Sequence, residues 1–294
     1  MGDVLLGEAK TSGGAELTFF TASDGASIAF HEEGAGRPLL LLHGLMANGG
    51  FFDGQRALAD DFRLIRLDLR GHGASFAGSR PPTVARAAED VAELVEHLDL
   101  EGAVGIGWSL GATVLWRVLS GHASRRFAGA VIVDMSPCVR NQGGWELGLS
   151  PDHCEDRTRA IREDFPAFAA GAGAAIFAQP LDEAQRPLAD WVGREFARCD
   201  RSAVDSLWKS LVEEDSRPLL GAIRQPTLVV HGAQSHLYGA DTADHLVEAL
   251  PSASALRFER SGHAPHLEQP ELFNAAIRDF AAMLPPVPTL KVTA

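Results

Sequence analysis

The chain has 294 residues, 46% of them hydrophobic, and carries 26 Lys and Arg against 39 Asp and Glu, a formal net charge of −13. That length and apolar content suffice for one large α/β domain or two ordinary ones with a sizeable core, and they argue against disorder. The negative balance argues against nucleic acid and anionic membranes as partners, and it weighs against strongly anionic substrates unless a local pocket overrides the global field.

Residues 1–14 are rich in Gly and polar side chains and read as a loose lead-in. Met1 to Lys10 has neither the basic start nor the apolar run of a secretory signal, and position 6 is Leu6 rather than the Ser or Thr of a myristoylation signal. No apolar run approaches the length of a membrane span, so a cytoplasmic protein is expected. Leu17 to Thr21 and Ser27 to His31 are of strand type and flank Asp24-Gly25, a strong hairpin signal. Arg37-Pro38 opens the run Leu39 to Leu42, suited to a strand buried on both faces of a parallel sheet, which ends at His43-Gly44. A helix over Phe51 to Asp60 and a second buried strand, Leu64 to Leu67, lead into Asp68-Leu69-Arg70-Gly71-His72-Gly73.

From Pro82 to Leu98 the residues Val84, Ala87, Ala88, Val91, Leu94, Val95 and Leu98 follow helical spacing. A short apolar run, Val104 to Ile106, then passes through Gly107-Trp108-Ser109-Leu110-Gly111 into a helical run, Leu110 to Leu119, and Val131 to Val133 forms a further strand ending at Asp134. Buried strands alternating with amphipathic helices predict a mostly parallel, doubly wound sheet.

The rhythm breaks between Ser136 and Pro218, where helical patterns occur without a convincing strand. Val204, Leu207, Trp208, Leu211 and Val212 form one amphipathic face; Leu188, Trp191, Val192 and Phe196 form another. Alternation resumes with the strand Thr227 to Val230, a helix from Asp241 to Leu250, the strand Ala255 to Phe258 and then Ser261-Gly262-His263. A last helix, Pro270 to Leu284, has Pro at its start and prolines beyond its end, and the tail Pro285 to Ala294 reads as extended.

The cysteines, Cys138, Cys154 and Cys199, are odd in number and lack metal-ligand spacing, so they read as reduced thiols of a cytosolic protein. No Cys, His or Asp cluster has metal spacing and the glycines around Ser109 do not form a dinucleotide pattern, so neither metal nor cofactor is expected.

Three chemical features fall at the C-terminal ends of predicted parallel strands, where open α/β sheets place their sites: His43-Gly44, Ser109 and His263. A serine between glycines at a strand-to-helix turn fits a nucleophile elbow, in which small neighbours leave the hydroxyl uncrowded. An ordinary helix N-cap is the alternative for Ser109. A free hydroxyl is a poor nucleophile near neutral pH and needs a base; His263 takes that role, with His266 its nearest rival in sequence.

With these motifs in this order, the chain from about Leu17 to Leu284 resembles the α/β-hydrolase superfamily, in which serine, acid and histidine follow one another along the chain. The resemblance implies an α/β-hydrolase core over residues 1–135 and 219–294 and a helical cap over 136–218. It implies an oxyanion hole from the backbone N–H groups of Leu45 and Leu110. It also reads Asp68, Arg70 and His72 as a supporting loop. Most relatives carry the triad acid where this chain has Ser235, and serine cannot stabilise an imidazolium. Asp134 is the preferred acid, since some relatives place theirs after that strand; Asp241, at a helix start, is the alternative.

The implied activity is a carboxylesterase acting on small to medium, largely apolar esters or lactones, with a small-molecule ester and water as partners. Aromatic side chains of the cap (Trp145, Trp191, Trp208) and of the core (Phe51, Phe52, Trp108) are candidates for lining its pocket. Carbon–carbon bond hydrolysis and cofactor-free perhydrolysis share the machinery, and a ligand sensor that retains the triad is the rival from outside catalysis.

Overall fold

In a computed structural model of the chain, residues 16–78 and 80–287 are described; the lead-in and the end of the tail lie outside that range. Strands β1 (Glu16–Thr21) and β2 (Ser27–Glu33) form the expected antiparallel hairpin, closed where the Ala22 N–H donates to the Ala26 carbonyl at 2.8 Å. β3 (Arg37–Leu42) leads through tight 3₁₀ turns over Gly49–Asp60, kinked at Phe52, to β4 (Phe62–Leu67). After α1 (Val84–His97) come β5 (Ala103–Trp108), α2 (Leu110–Ser120) and β6 (Phe127–Val133). Thr83 caps α1 by accepting from the Arg86 N–H, and the apolar stripe predicted for this helix is its buried face.

The chain then runs through α3 (Pro151–Glu163), α4 (Phe165–Ala175), α5 (Arg186–Ala197), α6 (Arg201–Glu213) and the one-turn α7 (Arg217–Leu220) before any further strand of the sheet. β7 (Thr227–Gly232), α8 (Ala240–Ala249), β8 (Ala253–Phe258), the short α9 (Pro265–Glu268) and α10 (Pro270–Ala282) complete it.

The eight strands form one sheet in the order β1-β2-β4-β3-β5-β6-β7-β8, antiparallel at β1 and β2 and parallel from β4 to β8. Leu39 to Leu42 are wholly buried, as a central strand covered by helices on both faces requires. α1, α2, α7 and α8 touch in succession as one layer, while the Gly49–Asp60 turns pack with α9 and α10 as the other.

From β3 the chain goes first to β4 on one side and returns to β5 on the other, so the order reverses between β3 and β5. Open α/β sheets bind ligands beside such a reversal, outside the carboxyl ends of the strands. His43-Gly44 and Ser109 stand at that edge.

The helical segment between β6 and β7 enters and leaves at one place. Cys138 and Asp215 pair as an antiparallel bridge, the Ser216 N–H donates to the Pro137 carbonyl at 2.7 Å, and Arg117 of α2 grips Glu214 through two hydrogen bonds of 2.9 and 2.8 Å.

Candidate active site

Ser109 joins β5 to α2 with φ 53° and ψ −119°, a backbone conformation that non-glycine residues rarely adopt. Its neighbours must be glycines for reasons of space. A Cβ on Gly111 would stand 2.1 Å from the Leu42 carbonyl oxygen, and one on Gly107 would stand 2.5 Å from that of Gly111. Although Ser109 precedes a helix, its side chain makes no capping hydrogen bond, which removes the N-cap reading.

Among the described residues, four non-glycines have positive φ: Met46, Asp99, Ser109 and Asp134. Three of them are expected site residues or neighbours of one, and each strained residue is pinned by its own amide. The Ser109 N–H donates to the Val133 carbonyl at 3.0 Å, the Asp134 N–H to the Val230 carbonyl at 2.8 Å, and the Met46 N–H to His72 Nε2 at 3.1 Å. Such conformations cost about 1–3 kcal/mol each and persist only where their surroundings over-determine them.

Asp134 follows β6, and its side chain is fully buried. Its Oδ2 lies 2.6 Å from His263 Nδ1 and accepts the Ser235 hydroxyl at 2.7 Å; its Oδ1 accepts the Gly232 N–H at 3.3 Å. The carboxylate partner of His263 is therefore Asp134. Asp241 is exposed in the first turn of α8, where it suits the helix dipole, and the alternative acid is set aside. Ser235, read from the sequence as a gap in the usual acid position, donates to the Asp134 carboxylate.

His263 is nearly buried, and its loop is fixed from three sides. Its N–H donates to the Ile176 carbonyl at 2.7 Å, its own carbonyl accepts the Trp108 indole N–H at 2.8 Å, and the Gly262 N–H donates to Glu268 at 2.7 Å. The other Glu268 oxygen accepts the Ala178 N–H at 2.8 Å, so one half-buried carboxylate ties the segment after α4 to the histidine loop. Burial pushes Glu268 up to about 7, with the backbone donors pulling the other way. His266 is wholly buried against Phe52, Trp108 and Phe273, so it is core rather than a rival base.

The loop after β3 is held by two neutral histidines. His43 Nε2 accepts the Leu69 N–H at 2.9 Å while its Nδ1 donates to the Gly44 carbonyl at 2.7 Å; His72 accepts from Met46 and lies 3.2 Å from the Arg70 carbonyl through Nδ1. Burial lowers His43 to about 4 and His72 to about 3, which keeps both as hydrogen-bond acceptors at neutral pH. Asp68 adds a second clamp, accepting the N–H groups of Gly49 and Ala74 at 2.7 and 2.8 Å. Arg70 sits buried between Asp90 and Asp24, at 2.6 and 3.0 Å. None of the three lines the cavity that holds Ser109 and His263.

Within this scaffold the Met46 N–H is consumed by His72, whereas no described residue accepts the Leu45 N–H. Leu110 is the first residue of α2, where a backbone N–H has no partner within the helix, and the positive end of the helix dipole points the same way.

Ser109 and His263 line one small cavity of about 70 Å³ together with Gly44, Leu45 and Trp108 from the sheet side. The helical segment supplies Arg157, Phe168, Ile176 and Trp208, and the loop after β7 supplies Leu237 and Tyr238. An outer basin of about 610 Å³ shares Arg157 and Phe168 with it. A larger cleft, about 690 Å³ between the 71–82 loop and α5–α6, contains neither Ser109 nor His263.

Of the aromatic residues expected to line the pocket, Trp108 and Trp208 do so and the other four do not. Phe51 lies wholly buried behind Trp108 and stacks on Phe196; Trp191 packs on Phe51, and Phe52 packs on His266. Trp145 is drawn away by its indole N–H, which donates to the Cys138 carbonyl at 2.9 Å, and by its contacts with His245 and Arg217. Sequence reading missed Arg157 and Phe168, because helical periodicity separates apolar from polar faces but not a face on a core from a face on a cavity, and it missed Leu237 and Tyr238, which lie in a loop without periodicity.

No helix among the described residues is long and apolar enough to cross a membrane, and no group of three or more His, Cys, Asp or Glu among them gathers as a metal would need.

Residues 37–270 match the family described as alpha/beta hydrolase fold. The chain is 29% identical over 261 residues to a pimeloyl-acyl-carrier-protein methyl ester esterase of Nitrosomonas europaea, covering 84% of this chain and 97% of that one. It is 27% identical over 273 residues to a non-heme haloperoxidase of Rhodococcus erythropolis, covering 90% and 99%. An esterase from Exiguobacterium antarcticum superposes with a TM-score of 0.85 at 26% identity, over 90% of this chain and 99% of that one. Strand order, elbow and family match agree, and the chain belongs to the α/β-hydrolase fold family.

Proposed function

We propose that the chain is a serine hydrolase of the carboxylesterase type, cleaving small, largely apolar esters or lactones through an acyl-enzyme on Ser109. The observation that carries this reading is an uncapped serine in a strained turn, sharing a cavity with a histidine whose Nδ1 lies 2.6 Å from a buried carboxylate. Asp134 holds the imidazole with its proton on Nδ1, leaving Nε2 to take the Ser109 proton as the hydroxyl attacks the ester carbonyl. The N–H groups of Leu45 and Leu110 receive the oxyanion, each lowering the barrier by about 3 kcal/mol. His263 then protonates the leaving alkoxide. In the second half it activates the water that releases the acid.

The helical segment acts as a cap: α3, α4 and α6 supply the outer wall of the cavity. At about 70 Å³ the space is well below the roughly 300–1,000 Å³ of drug-sized pockets, which favours short acyl groups. Short-chain nitrophenyl esters test the reading directly. The wild-type chain releases nitrophenol with a burst, and Ser109→Ala reduces turnover by about 10⁵ to 10⁶. Turnover that survives Ser109→Ala contradicts it.

A further inference from the structure

One cation in the cavity has no charge partner. Arg157 of α3 lines the same cavity as Ser109 and His263, and no described carboxylate pairs with it. Its neighbours Arg159 and Arg162 on the same helix are both paired, with Asp156 at 3.0 Å and Asp205 at 2.8 Å. The Arg157 guanidinium instead lies over two rings, 5.1 Å from the centre of Trp208 and 5.9 Å from that of Phe168. Trp208 is itself fixed, since its indole N–H donates to Thr158 at 2.9 Å. No described residue accepts a hydrogen bond from this guanidinium, so its planar fork of N–H donors is open to a ligand.

The position of the cation is also informative. Arg157 and Phe168 line both the inner cavity and the outer basin, so the guanidinium stands at their partition. The basin also carries Asp152 and Asp156, which disfavour an anion held on the outer side. On the inner side the walls are apolar apart from Tyr238, Ser109 and His263, and there an unpaired cation attracts an anion strongly. An arginine kept without a partner in an apolar, half-buried setting is costly unless a ligand completes it.

We propose that Arg157 determines specificity by receiving a carboxylate carried on the acyl part of the substrate, so that the compound cleaved at Ser109 is the half-ester of a short dicarboxylic acid or a lactone bearing a carboxylate. This rests on the esterase reading above. The guanidinium holds the carboxylate through two parallel N–H bonds at the partition, and the ester carbonyl lies toward Ser109. The local positive charge overrides the negative field of the whole chain at this one point.

The monomethyl and dimethyl esters of succinate, followed by acid release in a pH-stat, separate this role from a structural one. The wild-type chain prefers the half-ester by about 10-fold or more in kcat/KM. Arg157→Gln lowers kcat/KM for the half-ester by about 10- to 100-fold, chiefly through KM, and the diester by less than about 3-fold. Arg157→Lys restores part of the preference, because a point charge replaces a fork. Equal rates on both esters in the wild type, or equal losses on both in Arg157→Gln, overturn the proposal. Should the Gln variant fail to fold, the Lys variant decides: a retained preference supports the assignment and an equal loss on both esters overturns it.

Free succinate supplies a readout that needs no turnover. It raises the Tm of the wild type and of Ser109→Ala but not that of Arg157→Gln or, if that fails to fold, raises that of Arg157→Lys by less than the wild type's. Succinate binding without ester hydrolysis refutes the esterase reading and keeps the carboxylate site. Ester hydrolysis with no succinate effect and no half-ester preference does the reverse.

Discussion

The cavity has two unlike sides. Its floor is built from strand ends and the turns that follow them: Ser109 after β5, Asp134 after β6, His263 after β8 and Leu45 after β3. Its wall comes from helices inserted between β6 and β7, with Arg157, Phe168 and Trp208 facing inward. In the floor, strained residues are pinned by backbone hydrogen bonds to neighbouring strands or to His72. The wall is held largely by side-chain packing, tied to the floor at Ile176 and Ala178 and joined to the rest through the neck at Cys138 and Asp215. Covalent chemistry needs atoms placed within a few tenths of an ångström, which strands supply; selection needs only shape and charge, which helices can vary. Floor substitutions should therefore lower turnover on every substrate, whereas wall substitutions should redistribute it among substrates.

Beyond Ser109 itself, the largest expected effect is on Asp134. Asp134→Asn leaves the geometry nearly unchanged but favours the wrong tautomer of His263, and kcat falls by about 10⁴ on all esters alike with the fold intact by circular dichroism. A loss confined to some substrates would erase the distinction between floor and wall.

Acid should disturb the floor next. Burial lowers His43 to about 4 and His72 to about 3, and burial with the nearby His263 lowers His266 to about 3. Unfolded histidines titrate near 6.5, so below that pH the unfolded chain binds protons that the native state refuses. Stability is full above the unfolded value and falls as pH drops, by about 1.4 kcal/mol per unit for each histidine. Glu268 opposes this: raised to about 7, it binds a proton natively between about 4.5 and 7 and loses stability as pH rises. The four groups together leave a net loss of about 2.7 kcal/mol per unit on acidification from 6.5 to 4.5. Urea titrations at pH 7, 6 and 5 measure it, and a flat profile would mean these histidines are not held neutral.

Ser235→Ala probes the floor from within. It removes one donor from Asp134 while leaving His263 in place, so kcat falls by about 10-fold and KM stays nearly constant. The smallest effect belongs to the wall. Phe168→Ala opens the partition between cavity and basin, shifting preference toward longer acyl chains by about 5-fold, as competition between butyrate and octanoate esters would show. Equal change on both esters would place Phe168 in the fold rather than in selection.

The same division decided how much could be read in the sequence. The floor was legible because each part follows from a local rule: an apolar run makes a buried strand, glycines permit the elbow, and a polar residue just after a strand lies at the sheet's edge. Asp134 was reached through the resemblance to relatives that carry their acid after that strand. Ser235 was not, since its role depends on a carboxylate 101 positions earlier that only the sheet brings near. The wall was barely legible. Phe51, Phe52, Trp145 and Trp191 carry the right chemistry for a pocket, yet packing turns them toward the core or the neck. Arg157 sits in the polar run Asp156-Arg157-Thr158-Arg159, where nothing local separates the cation that faces the cavity from the one paired at the surface.

The proposed activity requires Ser109 to be a nucleophile made reactive by His263 and Asp134. A fluorophosphonate that phosphonylates active serines, followed by intact-protein and peptide mass spectrometry, tests it without knowledge of the substrate. One adduct on the peptide containing Ser109, abolished by Ser109→Ala and slowed about 10³-fold or more by His263→Ala, is the predicted result. An adduct on another residue, or labelling of Ser109 that proceeds equally well without His263, would contradict it.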